Sequence, residues 1–169
     1  MYLESLREGI ELKTLILYDS YFGNTEIIAA SIAKGLVERS EVSFIKVAEA
    51  REEYLKGIDL LIIGSPTRGF QPSDRTKAFL KTLQPMSLNG IKIASFDTRI
   101  YLKTIKSKAF RFIVNTGGYA AKSIHRVLIK KGGVFIADPE GFYVTGEEGP
   151  LKDGEEARAL KWSKMLLEL

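Results

Sequence analysis

The sequence contains no cysteine and a single histidine, His125. Without thiols there is no disulfide, no cysteine-bound iron–sulfur cluster and no thiolate zinc site. One imidazole cannot build a multi-histidine metal centre. No apolar run approaches the ~18 residues needed to cross a bilayer. The opening MYLESLREGIELK mixes charges with isolated apolar residues, so it does not read as a signal peptide. Dinucleotide Gly-x-Gly-x-x-Gly, Walker and Gly-x-Ser-x-Gly patterns are all missing, as are internal repeats and low-complexity tracts. What remains is ordinary in bulk: 169 residues, 45% hydrophobic and 27% charged. A chain of that size folds as one domain and buries roughly 70% of its unfolded surface without staples. A cytoplasmic location is the expectation.

The order of apolar patches carries more information. Residues 1–11 read as a short amphipathic leader, and residues 12–169 as one domain. Residues 14–18 (TLILY) form a nearly continuous apolar run, as in a strand covered on both faces. Over 24–39, Ile28, Ile32 and Leu36 recur every four residues beside Ala29 and Ala33, which predicts a helix. Residues 42–47 and 60–63 predict the second and third strands. A helix after Pro72 takes Ser73 as its cap, with Phe79, Leu80 and Leu83 inward. Residues 91–96 predict the fourth strand, and 119–131 a helix with Ile124, Val127 and Leu128 inward. Residues 134–137 and 142–144 predict a fifth strand split by Asp138-Pro139. The last helix is expected from 154 to 168 behind an Asp153 cap. Apolar strands alternating with amphipathic helices imply an α/β domain, a doubly wound parallel sheet with helices on both faces.

In such sheets ligands bind beyond the carboxyl ends of the strands. The loop after the first strand is Asp19-Ser20-Tyr21-Phe22-Gly23-Asn24-Thr25. Its small and hydroxyl residues run straight into a helix, where backbone N–H groups and the helix dipole converge on one point. That suits a phosphate, although a capped helix start after a tight turn has the same composition. The loop after the third strand, Gly64 to Pro72, holds Pro66, Thr67, Arg68, Gly69 and Phe70, able to hydrogen-bond to and stack on an aromatic ligand, or to form only a proline-bounded turn. The loop after the fourth strand opens on Asp97-Thr98-Arg99. Asp138 and Glu140 read as cap or surface residues, His125 as an ordinary polar residue on a helix flank, and residues 147–150 as a solvent loop.

The segment YDSYFGNTE at residues 18–26 resembles the phosphate loop of the flavodoxin family: a hydroxyl residue, two variable positions, then Gly-Asn-Thr. The resemblance implies a five-stranded sheet in the order 2-1-3-4-5, FMN as cofactor, and Ser20, Gly23, Asn24 and Thr25 at its phosphate, with the N–H groups of Tyr21 and Phe22 between them. Phe22 replaces a frequent threonine, and Asp19 a frequent small residue. The start of the third loop, Gly-Ser-Pro-Thr-Arg, is similar to that of flavodoxin-like quinone reductases. Residues 95–99, 139–144 and 148–151 resemble a subgroup of small flavodoxin-family proteins. The family's second flavin contacts would then be Pro66, Thr67, Arg68, Gly69 and Phe70, and its third Asp97, Thr98 and Arg99. Phe70, Tyr101 and Tyr119 are the candidates for stacking on the ring.

Three functions fit these readings: an FMN electron carrier, an NAD(P)H-dependent quinone or small-molecule reductase of the same fold, and a docking or nucleic-acid-binding domain with a decayed flavin site. The carrier is the primary reading, since the chain offers no evident nucleophile or acid–base pair. The charge is uneven, with nine Lys or Arg and no acid over residues 98–137. Arg99, Lys103, Lys106, Lys108 and Arg111 are therefore expected to favour the negative charge of a reduced flavin and a redox partner with an acidic docking face.

Overall fold

The computed structural model describes residues 12–101, 106–109, 111–112 and 118–169. The expected leader at 1–11, and Lys103 in the basic block, lie outside the described residues.

The chain runs β1 (Leu12–Tyr18), α1 (Asn24–Leu36), β2 (Ser40–Lys46), β3 (Leu60–Pro66), α2 (Asp74–Thr82), β4 (Lys92–Ile100), α3 (Ala120–Lys130), β5 (Val134–Phe135), β6 (Glu140–Val144) and α4 (Glu155–Leu166). The strands form one parallel sheet in the order β2-β1-β3-β4-β5, and β6 also pairs with β4. β5 lies beside Lys92–Ile93, at the start of β4, and β6 beside Phe96–Ile100, at its end. The two pieces are the split fifth strand that the Asp138-Pro139 break predicts. The family order expected from the phosphate loop is present.

Each face of the sheet has its own core. Ile16, Ile62, Ala94 and Phe96 point toward α1 and α4, where Ile28, Ile32, Leu36, Trp162 and Leu166 meet them. Leu15, Leu17, Leu61, Ile63 and Ile93 point the other way, against Phe79, Leu80 and Leu83 of the α2 region and Ile124 and Leu128 of α3. Because both faces are covered, the central strands read as unbroken apolar runs rather than as alternations.

Sequence and structure part at the element ends. β3 continues through Gly64-Ser65-Pro66 and β4 through Asp97-Thr98-Arg99, where loops are expected. Both segments gain partners that the sequence does not reveal: Ser65 lies beside Asp97, and β6 extends the far side of β4 to Ile100. α1 stops at Leu36 instead of continuing to 39. Ser73 caps α2 as expected, accepting a hydrogen bond from the Thr76 N–H. Asp153 does not cap α4. Gly154 occupies the N-cap with φ 85°, and no side chain bonds there. His125 is half-buried, edge-on to Phe135, and burial lowers its pKa from the usual imidazole value.

Gly64 shows how tightly the end of β3 is held. A Cβ there would lie 2.0–2.4 Å from three ring atoms of Phe96. That ring is itself packed edge-on against Phe142 and Trp162. Gly64→Ala should therefore destabilise the fold by about 1–3 kcal/mol through overpacking, read as a lower midpoint in chemical denaturation. An unchanged midpoint would mean that the ring has room to move and that β3 and β4 are not locked at this point.

Candidate functional site

Three chain segments converge beyond the carboxyl ends of β1, β3 and β4. They enclose a cavity of about 290 Å³, lined by Ser20, Tyr21, Phe22, Asn24 and Thr25 from the first loop, Pro66, Thr67, Arg68 and Gly69 from the second, and Thr98 and Arg99 from β4. Eleven of the fourteen candidate residues thus share one wall system. Of the other three, Gly23 shapes the loop, Asp97 lies behind the wall, and Phe70 does not line the cavity. The volume is at the lower edge of ligand pockets, roughly 300–1,000 Å³.

The first loop is built by its glycine. Gly23 is the N-cap of α1 with φ 88°, a left-handed conformation that L side chains resist. Open space surrounds its missing Cβ, so conformation and not crowding selects glycine here. The Ser20 hydroxyl accepts a hydrogen bond from the Gly23 N–H at 3.0 Å, closing the turn on itself. Thr25 is buried, and its hydroxyl lies 2.8 Å from that of Thr98, tying α1 to β4. Both hydroxyls have partners, and the Ser20 O–H, which only accepts here, is still able to donate. Asp19 is buried beside this loop, with one carboxylate oxygen 3.3 Å from Arg75 and the other without a hydrogen-bond partner.

The second loop closes as a tight reversal. Arg68 and Gln71 exchange both backbone hydrogen bonds at 3.0 Å, and Gly69 and Phe70 between them have φ 51° and 65°. Two positive φ values in succession are those of a type I′ turn. The reversal carries Phe70 away from the cavity, so the aromatic rings at its mouth are Tyr21 and Phe22. Arg68 lies over both, 5.0 and 5.7 Å from their centroids, and pairs with Glu147 at 3.1 Å. All four side chains are exposed, so each of these contacts contributes about 1 kcal/mol or less.

Behind the cavity Asp97 is completely buried. Arg99 grips it through two bonds, Nε to Oδ1 at 2.6 Å and Nη2 to Oδ2 at 2.8 Å. The Ala121 N–H adds a third at 2.9 Å, and the neighbouring Ala120 N–H donates to the Thr67 hydroxyl. The first turn of α3 is thus capped by side chains from the second loop and β4 instead of by its own N-cap, Tyr119. Burial pushes the Asp97 carboxyl above the ordinary carboxylate value, while Arg99, the Ala121 N–H and the Thr67 hydroxyl pull it down. The Arg99 guanidinium also lies 3.5 Å from the centre of the Tyr119 ring, and burial raises the Tyr119 pKa. Tyr119 is therefore occupied as a platform for Arg99, and Tyr101 stands edge-on to Tyr143. Neither lines the cavity.

This arrangement bears on one residue of the charge expectation, Arg99. Arg99 faces the cavity, but Asp97 matches its charge, and Glu147 matches that of Arg68. A surplus of positive charge at the cavity does not come from these two residues.

Ile100, Val144 and Glu147 line the cavity without having been singled out. Segment 147–150, expected as a solvent loop, packs against the first loop: the Asn24 side chain donates to the Glu148 carbonyl at 2.9 Å, and a Cβ at Gly149 would strike the Asn24 amide at 2.6 Å. The register of β6 against the end of β4 brings this segment here, and no local pattern encodes that register.

The sequence matches a family model described as Flavodoxin over residues 16–162. No curated protein matches it. The fold is similar to oxidised Flavodoxin 1 from Bacillus cereus, with TM-score 0.73, 20% identity, and coverage of 92% of this chain and 97% of that one. Flavodoxin 2 from the same organism gives TM-score 0.72 at 22% identity, covering 92% and 98%. Rubredoxin oxygen:oxidoreductase from Desulfovibrio gigas gives TM-score 0.70 at 14% identity, covering 99% of this chain and 38% of that one. At these identities the likeness is one of fold. No helix among the described residues is long and apolar enough to cross a membrane.

The Asp97–Arg99 pair yields a test of the site's framework. Arg99→Met leaves a buried carboxylate without its counter-charge and should destabilise the fold by about 3 kcal/mol or more at neutral pH. The folded-state pKa of Asp97 is already raised, and losing Arg99 raises it further. Stability therefore falls as pH climbs from the ordinary carboxylate value through the folded-state value, and this window widens toward neutrality in the variant. Urea unfolding at about pH 5 and about pH 8 should show a smaller deficit at the lower pH. A deficit independent of pH would mean that Asp97 does not titrate with folding.

Proposed function

The chain belongs to the flavodoxin family, and on that premise we propose that it binds FMN in the cavity beyond β1, β3 and β4 and passes electrons between partner proteins. The observation that carries this reading is the meeting of a glycine-turned helix N-terminus, four hydroxyls and two aromatic rings on one cavity beside the β1/β3 switch point. The donor set fits FMN. Ser20, Thr25, Thr67 and Thr98 can hydrogen-bond to a phosphate or to the polar edge of a ring, and Tyr21, Phe22, Ile100 and Val144 offer apolar walls.

FMN, when bound, supplies the uptake and release of electrons. The protein's part is grip, orientation and electrostatics. Gly23 starts α1, whose first-turn N–H groups and dipole would favour a phosphate, while its own N–H is held by the Ser20 hydroxyl. Thr25 is fixed by Thr98 and adds one hydroxyl. Tyr21 and Phe22, beneath Arg68, would cover the ring, and the paired Asp97 and Arg99 present a wall of low net charge. This reading requires no side chain to act as a nucleophile, acid or base.

Equilibrium titration with FMN and riboflavin tests this reading, and FMN should bind at least tenfold more tightly, since a hydrogen bond to a charged group contributes about 1.5–3 kcal/mol. Thr25→Ala should weaken FMN by about 1–3 kcal/mol, and Gly23→Val by more, because valine resists a φ of 88°. Riboflavin binding as tightly as FMN would mean that residues 20–25 hold no phosphate.

A further inference from the structure

The two helix layers differ sharply in charge. On one face of the sheet, α1 carries Glu26 and Lys34, and α4 carries Glu155, Glu156, Arg158, Lys161 and Lys164, which is close to balance. On the other face, α2 carries Arg75, Lys77 and Lys81 against Asp74 alone. α3 and its C-cap carry Lys122, Arg126, Lys130 and Lys131 with no acid at all. Arg75 is paired with Asp19, and Lys77 with Asp74 at 2.8 Å. The excess on this layer exceeds the net charge of the entire chain, which is +4.

Between α2 and α3 lies a groove of about 410 Å³. Its floor is aliphatic, formed by Pro72, Leu80 and Val127, and Lys81, Lys130 and Lys131 stand on its rim. The groove is not isolated. Pro72 and Lys77 also line an adjoining depression whose far side is Tyr21, Arg68 and Gly69, the mouth of the candidate flavin cavity. A surface seated in the groove would therefore lie next to the residues that cover the ring.

We propose that the α2/α3 groove is the docking surface for an acidic protein partner that inserts an apolar side chain, on an amphipathic helix flanked by carboxylates, between the lysines. As the site of an electron-transfer partner the groove rests on the flavin reading, because its value lies in adjoining that cavity. The charge complementarity is direct: Lys77, Lys81, Lys130 and Lys131 line the groove with no acid among its described lining residues, and of these Lys77 is paired with Asp74. The aliphatic floor selects the class. Nucleic acid would place phosphates over Leu80 and Val127, desolvating charge against apolar surface, and none of the groove's described lining residues is aromatic for a base to stack on. A bilayer surface is flat and does not enter a groove.

The probe is a synthetic, fluorescein-labelled peptide of about 18 residues, with leucines along one helical face and glutamates flanking them. It is titrated into the purified chain with and without added FMN. Amide chemical shifts should move along α2 and α3, centred on Leu80, Ser123 and Val127. Lys81→Glu/Lys130→Glu should weaken binding about tenfold, and added salt should weaken it further. A peptide of equal charge with its leucines replaced by glycine should bind at least about fivefold more weakly. Since Lys81 and Lys130 lie in the last turns of their helices, Lys81→Gln/Lys130→Gln is measured in parallel, with thermal unfolding confirming that both variants fold.

The proposal is overturned if the leucine-free peptide binds equally well, if shifts fall outside these helices, or if no binding occurs. It is also overturned if duplex DNA or phosphatidylserine vesicles bind more tightly than the peptide and lose binding in the same variants. FMN titration of the parent separates the two readings. Peptide shifts without flavin binding would sink the flavin site and leave the groove, and flavin binding without peptide shifts would do the reverse.

Discussion

A single buried carboxylate, that of Asp97, joins more of the site than any other group. It sits where β4 runs between β3 and β6, and it receives two bonds from Arg99 and one from the first turn of α3. Take it away and three things lose their anchor together: the cavity wall at Arg99, the N-terminus of α3, and the platform that Tyr119 makes for the guanidinium. A charge without solvent survives only when its partners are this close and this well aligned. The geometry therefore leaves little freedom at the back of the cavity. Freedom is kept at the front, where exposed contacts of Arg68 with Tyr21, Phe22 and Glu147 are individually weak.

This division matches what a carrier of electrons requires. Under the proposed flavin reading, the fixed wall would hold a ligand's environment constant from one cycle to the next, and the mouth would admit the ligand and meet a partner. The same contrast separates the two helix layers. α1 and α4 pack closely over the face that includes Phe96, Phe142 and Trp162, with a charge near balance. α2 and α3 cover the other face, with Leu80 and Val127 at the floor of a lysine-rimmed groove. One layer is shaped to support the sheet, and the other offers a surface that something else can use.

Much of this was legible in the order of residues. Continuous apolar runs such as TLILY and LLII announce strands covered on both faces, and the four-residue repeat of Ile28, Ile32 and Leu36 fixes the buried side of α1. Asp138-Pro139 marks the break in the last strand, and the Gly-Asn-Thr of the first loop places the cavity. The rest depended on contacts between distant segments. Asp97 and Arg99 look like loop residues until β6 is seen to lie alongside them. Glu147 and Glu148 keep exposed side chains, yet Arg68 pairs with the Glu147 carboxylate and Asn24 with the Glu148 backbone carbonyl. Phe70 looks like a stacking residue until the positive φ of the turn swings it away. Local pattern gives the elements, and pairing register decides which of their ends become walls.

The jog between β5 and β6 has a consequence for how copies of the chain coexist. An open sheet ends in a row of unpaired backbone groups, and a long, flat row of that kind invites strands from other molecules. Here the outer strand is two residues, Val134 and Phe135, then a detour through Pro139, then five residues that re-join β4 further along. Proline has no N–H to offer an incoming strand, and the offset breaks the register that an ordered stack would need. The exposed apolar pair Val134–Phe135 is thus too short a stretch to template growth at this edge of the sheet.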